Sequence, residues 1–199
     1  MTARPSLASD EEGISLVELV IYVLVGFIVT GIITALVIVG LTAEADARSR
    51  DGATGEALVA QTSLQTSLRN ALAGSTEVTR SEDGTTTTLA ACVLQHDGAW
   101  KWMWWQVAPH PEEPEQQALS VRTDGGSAAI IAADITSIAE ATPYFVVEAT
   151  QDFDELWKQR GAKVVDYRFQ VRQGDVRVPV DGRVLAQAWS DAGKDACSL

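Results

Sequence analysis

Residues 14–41 form a run of 28 residues with one charged side chain, Glu18. At about 1.5 Å per residue, a helix of that length measures about 42 Å, more than the roughly 30 Å of hydrocarbon in a bilayer, so it can span one. The run exceeds the roughly 7 to 15 apolar residues of a secretory signal, and no small-x-small cleavage site with a polar exit follows it. Glu18 sits near its start, behind the acidic group Asp10, Glu11 and Glu12. A carboxylate at a bilayer centre costs about 2.5 to 3.5 kcal/mol, and one nearer the interface still calls for a partner. Such a partner points to assembly and not to catalysis.

With 199 residues, the chain has room beyond this run for one globular domain of about 125 to 150 residues, enough for its own core. Lys and Arg number 15 against 27 Asp and Glu, a net charge of -12. No basic stripe interrupts this balance, which argues against nucleic acid as a direct partner. Orientation by positive charge is weak: Arg4 is the only base before Gly13, and Arg48 and Arg50 beyond the run point the opposite way. The two cysteines, Cys92 and Cys197, lack C-x-x-C spacing. Outside the cytoplasm they can pair, closing a loop of about 100 residues, for which chain entropy gives about 4.7 kcal/mol. Two free buried thiols are the other reading.

The string Gly13-Ile14-Ser15-Leu16-Val17-Glu18-Leu19-Val20 resembles the cleavage and methylation signal of type IV prepilins and type II secretion pseudopilins. Its elements are a short polar leader ending in Gly, an apolar residue, a small hydroxyl residue, two aliphatics and Glu. The resemblance covers residues 1–72 well and the remainder only in overall layout. It implies that a prepilin peptidase at the cytoplasmic face cuts after Gly13 and that Ile14 becomes an N-methylated mature N-terminus. It also implies that Glu18 pairs with the terminal amine of a neighbouring subunit. The chemistry agrees, because an α-amino group with a reference pKa of about 7.7 to 8.0 is cationic at neutral pH and a nearby carboxylate favours that form. Three features depart from the family pattern: Ile14 stands where Phe is commoner, acids precede the cleavage glycine where bases are usual, and no proline interrupts the apolar helix. Gly26, Gly31 and Gly40 can loosen the helix instead, at about 1 kcal/mol each relative to Ala. They serve equally well as packing positions, since Gly26 and Thr30, like Gly31 and Ala35, lie four apart on one face.

Past residue 41 the composition shifts to Ala, Glu, Asp and Arg. Leu64, Leu68 and Leu72 recur at i, i+4 and i+8, predicting an amphipathic helix suited to lie on a sheet, weakened at Gly52 and Gly55 and ended by Gly74-Ser75. Downstream the period falls to two. Strands are expected over 85–94 and 100–107, flanking the hairpin signal His96-Asp97-Gly98, then over 118–122, 144–149, 164–172, 176–180 and 183–189. Asp124-Gly125-Gly126, Gly174-Asp175 and Asp181-Gly182 are the expected turns. A short helix over 153–160 would place Asp154 and Lys158 at i, i+4. A helix followed by antiparallel strands defines an α+β, pilin-like fold with the amphipathic half of the helix on one sheet face. The expected organisation is a leader over 1–13, a membrane-spanning helix over 14–41, its amphipathic continuation over 42–74, and an extracytoplasmic strand-rich domain over 75–199.

Trp100, Trp102, Trp104 and Trp105 fall within six residues. Alternation puts the first three on one face and Lys101, Met103 and Trp105 on the other. One set is expected to fill the core against the helix, and the other to meet a partner subunit or stack on a glycan or other surface ligand. Asp152, Asp154 and Glu155 lack the glycine and distal Glu of a calcium loop and read as a solvated helix start. His96 and His110 have no spaced co-ligands, and His110 lies in the loop signature Pro109-His110-Pro111-Glu112-Glu113-Pro114. The sequence holds no nucleophile elbow, H-E-x-x-H or phosphate loop. Neither enzymatic activity nor a metal or cofactor is expected.

Together with the resemblance, these features imply a minor pilin or pseudopilin, held in the cytoplasmic membrane with its domain outside. It would then be drawn into or onto a filament serving adhesion, motility, DNA uptake or secretion. Its expected partners are other pilin subunits through the helix, the prepilin peptidase and methylase, and membrane lipid. The alternative is an uncleaved single-pass membrane protein whose outer domain binds a ligand or glycan through the tryptophans.

Overall fold

The computed structural model describes residues 15–139, 142–149 and 161–197. The expected helix over 153–160 and the acidic group Asp152, Asp154 and Glu155 lie outside these residues. Helix α1, Leu16–Arg69, is unbroken over 54 residues and runs through two compact units, Met1–Asp46 and Ala47–Leu199.

In the first unit the aliphatic side chains of α1 up to Leu41 are exposed in the single chain. Among the described residues α1 is the one helix long and apolar enough to cross a membrane. Gly26, Gly31 and Gly40 have open space where a side chain would stand. The hydroxyls of Thr34 and Thr42 donate to the carbonyls of Thr30, Ile38 and Val39, which satisfies them inside the helix.

In the second unit α1 buries one stripe, Ala53, Ala57, Ala60, Leu64 and Leu68. The three- and four-residue spacing keeps these side chains on one face. The leucines are where the sequence puts them, and the alanines extend the stripe toward the N-terminus. Gly52 and Gly55 do not break the helix: Gly52 makes room for the side chain of Gln173, and Gly55 faces open space. The helix stops at Arg69, short of Gly74, because the next residues are drawn into the sheet. Leu72 N donates to Cys92 O (2.8 Å), Leu94 N to Asn70 O (3.1 Å), Ala73 N to Ala188 O (2.8 Å) and Ala188 N to Ala71 O (3.0 Å). Leu72 is buried, yet it sits in an extended bridge and not on the helical stripe.

One curled antiparallel sheet follows, made of β1 (Glu77–Arg80), β2 (Thr87–Leu94), β3 (Trp100–Pro109), β4 (Gln117–Thr123), β5 (Ala129–Thr136), β6 (Phe145–Ala149), β7 (Lys163–Gln173) and β8 (Val176–Leu185). Strands β1 to β5 pair in chain order, while β7 carries β5 and β6 along one edge and β8 along the other. A short helix α2, Asp191–Cys197, closes the described chain. From Ala57 onward the helical stripe packs in one cluster with Leu89, Trp105, Leu119, Ile135, Phe145 and Phe169 from the sheet. The fold is therefore α+β, with a long N-terminal helix on an antiparallel sheet.

Three differences from the sequence reading have local causes. Strand β1 is short and polar, with only Val78 packed toward the core. Strand β5 is interrupted by a register shift against β4, where Asp134 takes φ 44°. Arg172 Nε donates to Asp134 Oδ2 (2.7 Å), and Ala133 N donates to Glu56 Oε2 (2.8 Å), so the irregularity is pinned from a neighbouring strand and from α1. The two strands expected on either side of Asp181-Gly182 are one, β8. Gly182 pairs with Tyr167, whose ring occupies the place of a Cβ, so this glycine serves a close approach inside a strand and not a turn.

Leu68→Ala should lower the stability of the domain by about 2 to 5 kcal/mol, the range for emptying a buried leucine site. Gly55→Ala, at an open helical position, should leave it unchanged or raise it by up to about 1 kcal/mol. Urea unfolding followed by tryptophan fluorescence measures both, and equal losses would contradict the assignment of the buried stripe.

Candidate functional site

Helix α1 starts after Ser15, whose carbonyl accepts from Leu19 N (3.0 Å). Glu18 therefore lies in the first turn, where a carboxylate gains from the helix dipole. Ser15-x-x-Glu18 also has the spacing of a capping box, in which the glutamate reaches back toward the helix start. Here the carboxylate turns the other way: Tyr22 Oη donates to Glu18 Oε1 at 2.9 Å. Both side chains are exposed in the single chain. The sequence reading passed over Tyr22 as one more member of the apolar run, although its i+4 spacing from the only charge was the available signal. Gly13 and Ile14, the expected cleavage and methylation positions, lie outside the described residues.

The tryptophan strand divides as alternation requires. Trp105 is fully buried in the core against α1, with its Nε1 donating to Ser63 Oγ (3.3 Å). It is therefore no surface residue. On the opposite face Trp100 and Trp102 are half-buried against Leu72, Cys92 and Cys197. Cys92 and Cys197 are joined in a disulfide, with Cα atoms 6.3 Å apart and a sequence separation of 105. Helix α2 is brought onto Trp100 by this bond: a Cβ at Gly193 would stand 2.8 Å from the indole ring, so only glycine fits there without movement. Trp104 stacks on Trp102 with centroids 6.4 Å apart, and Arg122 from β4 lies 4.3 Å from the Trp104 centroid. A groove beside Trp104 and Arg122 is lined by Thr88, Gln106 and Ser120. The face expected to meet a partner subunit or a glycan is thus half-covered by its own neighbours.

Other candidates are structural. His96 sits in the β2–β3 turn, and His110 Nδ1 accepts from the amides of Glu112 (3.2 Å) and Glu113 (3.3 Å) to close its loop. No group of three or more His, Cys, Asp and Glu suited to a metal occurs among the described residues. The Ala99 amide and Lys101 hold the Asp97 carboxyl below the usual carboxylate range, fixing the same β2–β3 turn. Burial pushes the phenols of Tyr144 and Tyr167 above the usual tyrosine range. Gln65 opposes part of this shift at Tyr167 without meeting hydrogen-bond geometry, and the buried Tyr167 hydroxyl has no partner in range.

In comparison with known proteins, no family model, no curated protein and no solved structure matches this chain. The site is consequently read from its own chemistry: an exposed carboxylate near the start of a bilayer-length helix, and a domain whose second aromatic cluster is stapled by a disulfide.

Two outcomes follow from the domain. Gly193→Val should unseat α2 from Trp100 and lower the thermal midpoint, while leaving the disulfide able to form; an unchanged midpoint would remove the proposed role of that contact. Stability should hold up to about pH 10 and fall above it. The unfolded chain ionises its tyrosines at that pH, whereas burial raises the folded values of Tyr144 and Tyr167, so folding must retain protons that the unfolded state has lost. Chemical denaturation across pH 8 to about 11.5 tests the sign, and a rise in stability would contradict it.

Proposed function

We infer that this chain is a minor pilin or pseudopilin subunit, processed after Gly13 and assembled through α1 into or at the tip of a filament. The observation that carries this reading is Glu18. It stands in the first turn of a long exposed apolar helix, five positions along the chain that would begin at Ile14. Cleavage there creates a cationic amine of the kind that can neutralise a carboxylate in a neighbouring subunit. The α+β architecture, with the second half of α1 on the sheet, is compatible with the same reading. Repeated head-to-tail contact of one helix with the next generates an open polymer and needs no active site. Retention in the cytoplasmic membrane before assembly, with the strand-rich domain outside, belongs to this proposal, as do the prepilin peptidase and methylase as partners.

The groove beside Trp104 and Arg122 favours a second reading, an uncleaved single-pass protein that binds a glycan through this face. The two differ at the N-terminus. Mass spectrometry of the protein from its own cells should find a chain beginning at N-methylated Ile14; an intact Met1, or a cut beyond Leu41, would overturn the filament reading. Glu18→Val should be processed normally yet be depleted from the sheared filament fraction, and normal incorporation would remove the docking role of the carboxylate. For the second reading, retention of the protein on immobilised polysaccharide should be lost in Trp104→Ala.

A further inference from the structure

We propose that Tyr22 is the second donor of the Glu18 docking site: its phenol holds one carboxylate oxygen and leaves the other for the terminal amine of a second copy of this chain. This inference rests on the assembly reading given above.

The geometry begins with helix direction. Side chains on an α-helix lean toward its N-terminus, so a long residue at i+4 reaches back over residue i. Tyr22 does so, and its hydroxyl meets Glu18 Oε1 at 2.9 Å. The competing local partner for a glutamate at this spacing from Ser15 is the helix start, through a capping box; the carboxylate takes the phenol instead. Phenol is also the right chemistry for the depth. It supplies a donor on an aromatic body that lipid accepts, and it carries no charge of its own.

A carboxylate has two oxygens and about four acceptor sites, so one phenol leaves Glu18 with acceptor capacity for a further donor. Tyr22 lies one turn toward the C-terminus, so the phenol does not compete for the N-terminal side of the carboxylate, from which an amine belonging to a helix start would come. In the unassembled subunit the bond gives the carboxylate a charge-assisted partner before any neighbour has arrived. In the assembled pair it restricts the carboxylate to one rotamer, so that less freedom is lost when the amine binds. Tyr22 is therefore a positioning residue, acting through Glu18.

The test uses the full chain in its own cells, comparing wild type with Tyr22→Phe, Tyr22→Gln and Glu18→Val. Tyr22→Phe should be processed at the wild-type rate and fall about tenfold in the ratio of filament to membrane-held subunit, the scale of one hydrogen bond to a charged group. Tyr22→Gln, which restores a donor at the same spacing, should recover most of that loss. In lipid vesicles the infrared carboxyl band assigned to Glu18, by its absence in Glu18→Val, should move in Tyr22→Phe and return in Tyr22→Gln. A purely structural role for Tyr22 would leave that band in place. Wild-type assembly or an unmoved band in Tyr22→Phe, with Glu18→Val defective, overturns the role of Tyr22 alone. Wild-type assembly of Glu18→Val overturns the docking reading and this inference with it.

Discussion

The domain is organised around one narrow helical stripe and the gradient of side-chain size along it. Gly52, Ala53, Ala57 and Ala60 are small, and Leu64 and Leu68 are large. Small residues allow the sheet backbone to come close, which is why the Ala133 amide reaches Glu56 and the side chain of Gln173 fits over Gly52. The leucines meet the larger sheet residues, with Trp105 beside them and its indole nitrogen on Ser63. Each leucine contributes about 1.5 to 3 kcal/mol by burial alone. Moving the stripe by a turn would set leucines against the close-packed end, and interiors packed at crystal density tolerate neither the overlap nor the void left behind.

A second, smaller cluster explains how the end of the chain is held. Strand β3 contributes to both: Trp105 points to the helix, while Trp100 and Trp102 point away from it to Leu72, Cys92 and Cys197. The segment after α1 is pulled into this region by hydrogen bonds to the carbonyls of Cys92 and Ala188. The disulfide spans 105 residues, a loop length at which the chain-entropy model assigns about 4.7 kcal/mol. Stapling also places α2 over an indole that would otherwise be uncovered. The bond thus acts twice, by restricting the unfolded chain and by covering aromatic surface in the folded one.

Elements that bury large side chains at regular spacing could be read from sequence: the stripe of Leu64 and Leu68, the hairpin around Gly98, and strands β2, β3, β4, β6 and β7 within a few residues of their ends. Where the determinant was a neighbour distant in sequence, the pattern failed. Gly182 reads as a turn until Tyr167 is placed across from it. Strand β5 has weak alternation because Asp134 is held out of register by Arg172. Leu72 continues the leucine spacing but is claimed by β2 and the segment after β8. The candidate site shows the same division, since Glu18 is conspicuous as a lone charge, whereas the roles of Tyr22, Gly193 and Arg122 depend on what lies against them.

The apolar half of α1 raises a question of specificity more than of stability. Lipid tails are as apolar as leucine, so its exposed aliphatic side chains gain little by exchanging lipid for a neighbouring helix and do not select one axial position over another. A single polar pairing does select. In coiled coils one buried polar residue fixes register and partner at some loss of stability. On the assembly reading Glu18 has that role, because a helix displaced by one turn moves the amine about 5.4 Å from its carboxylate and leaves two charges unpaired in a medium that penalises both. On that same reading aliphatic bulk keeps the subunit in the membrane, and one carboxylate, steadied by a phenol a turn away, determines where along a neighbour it can stop.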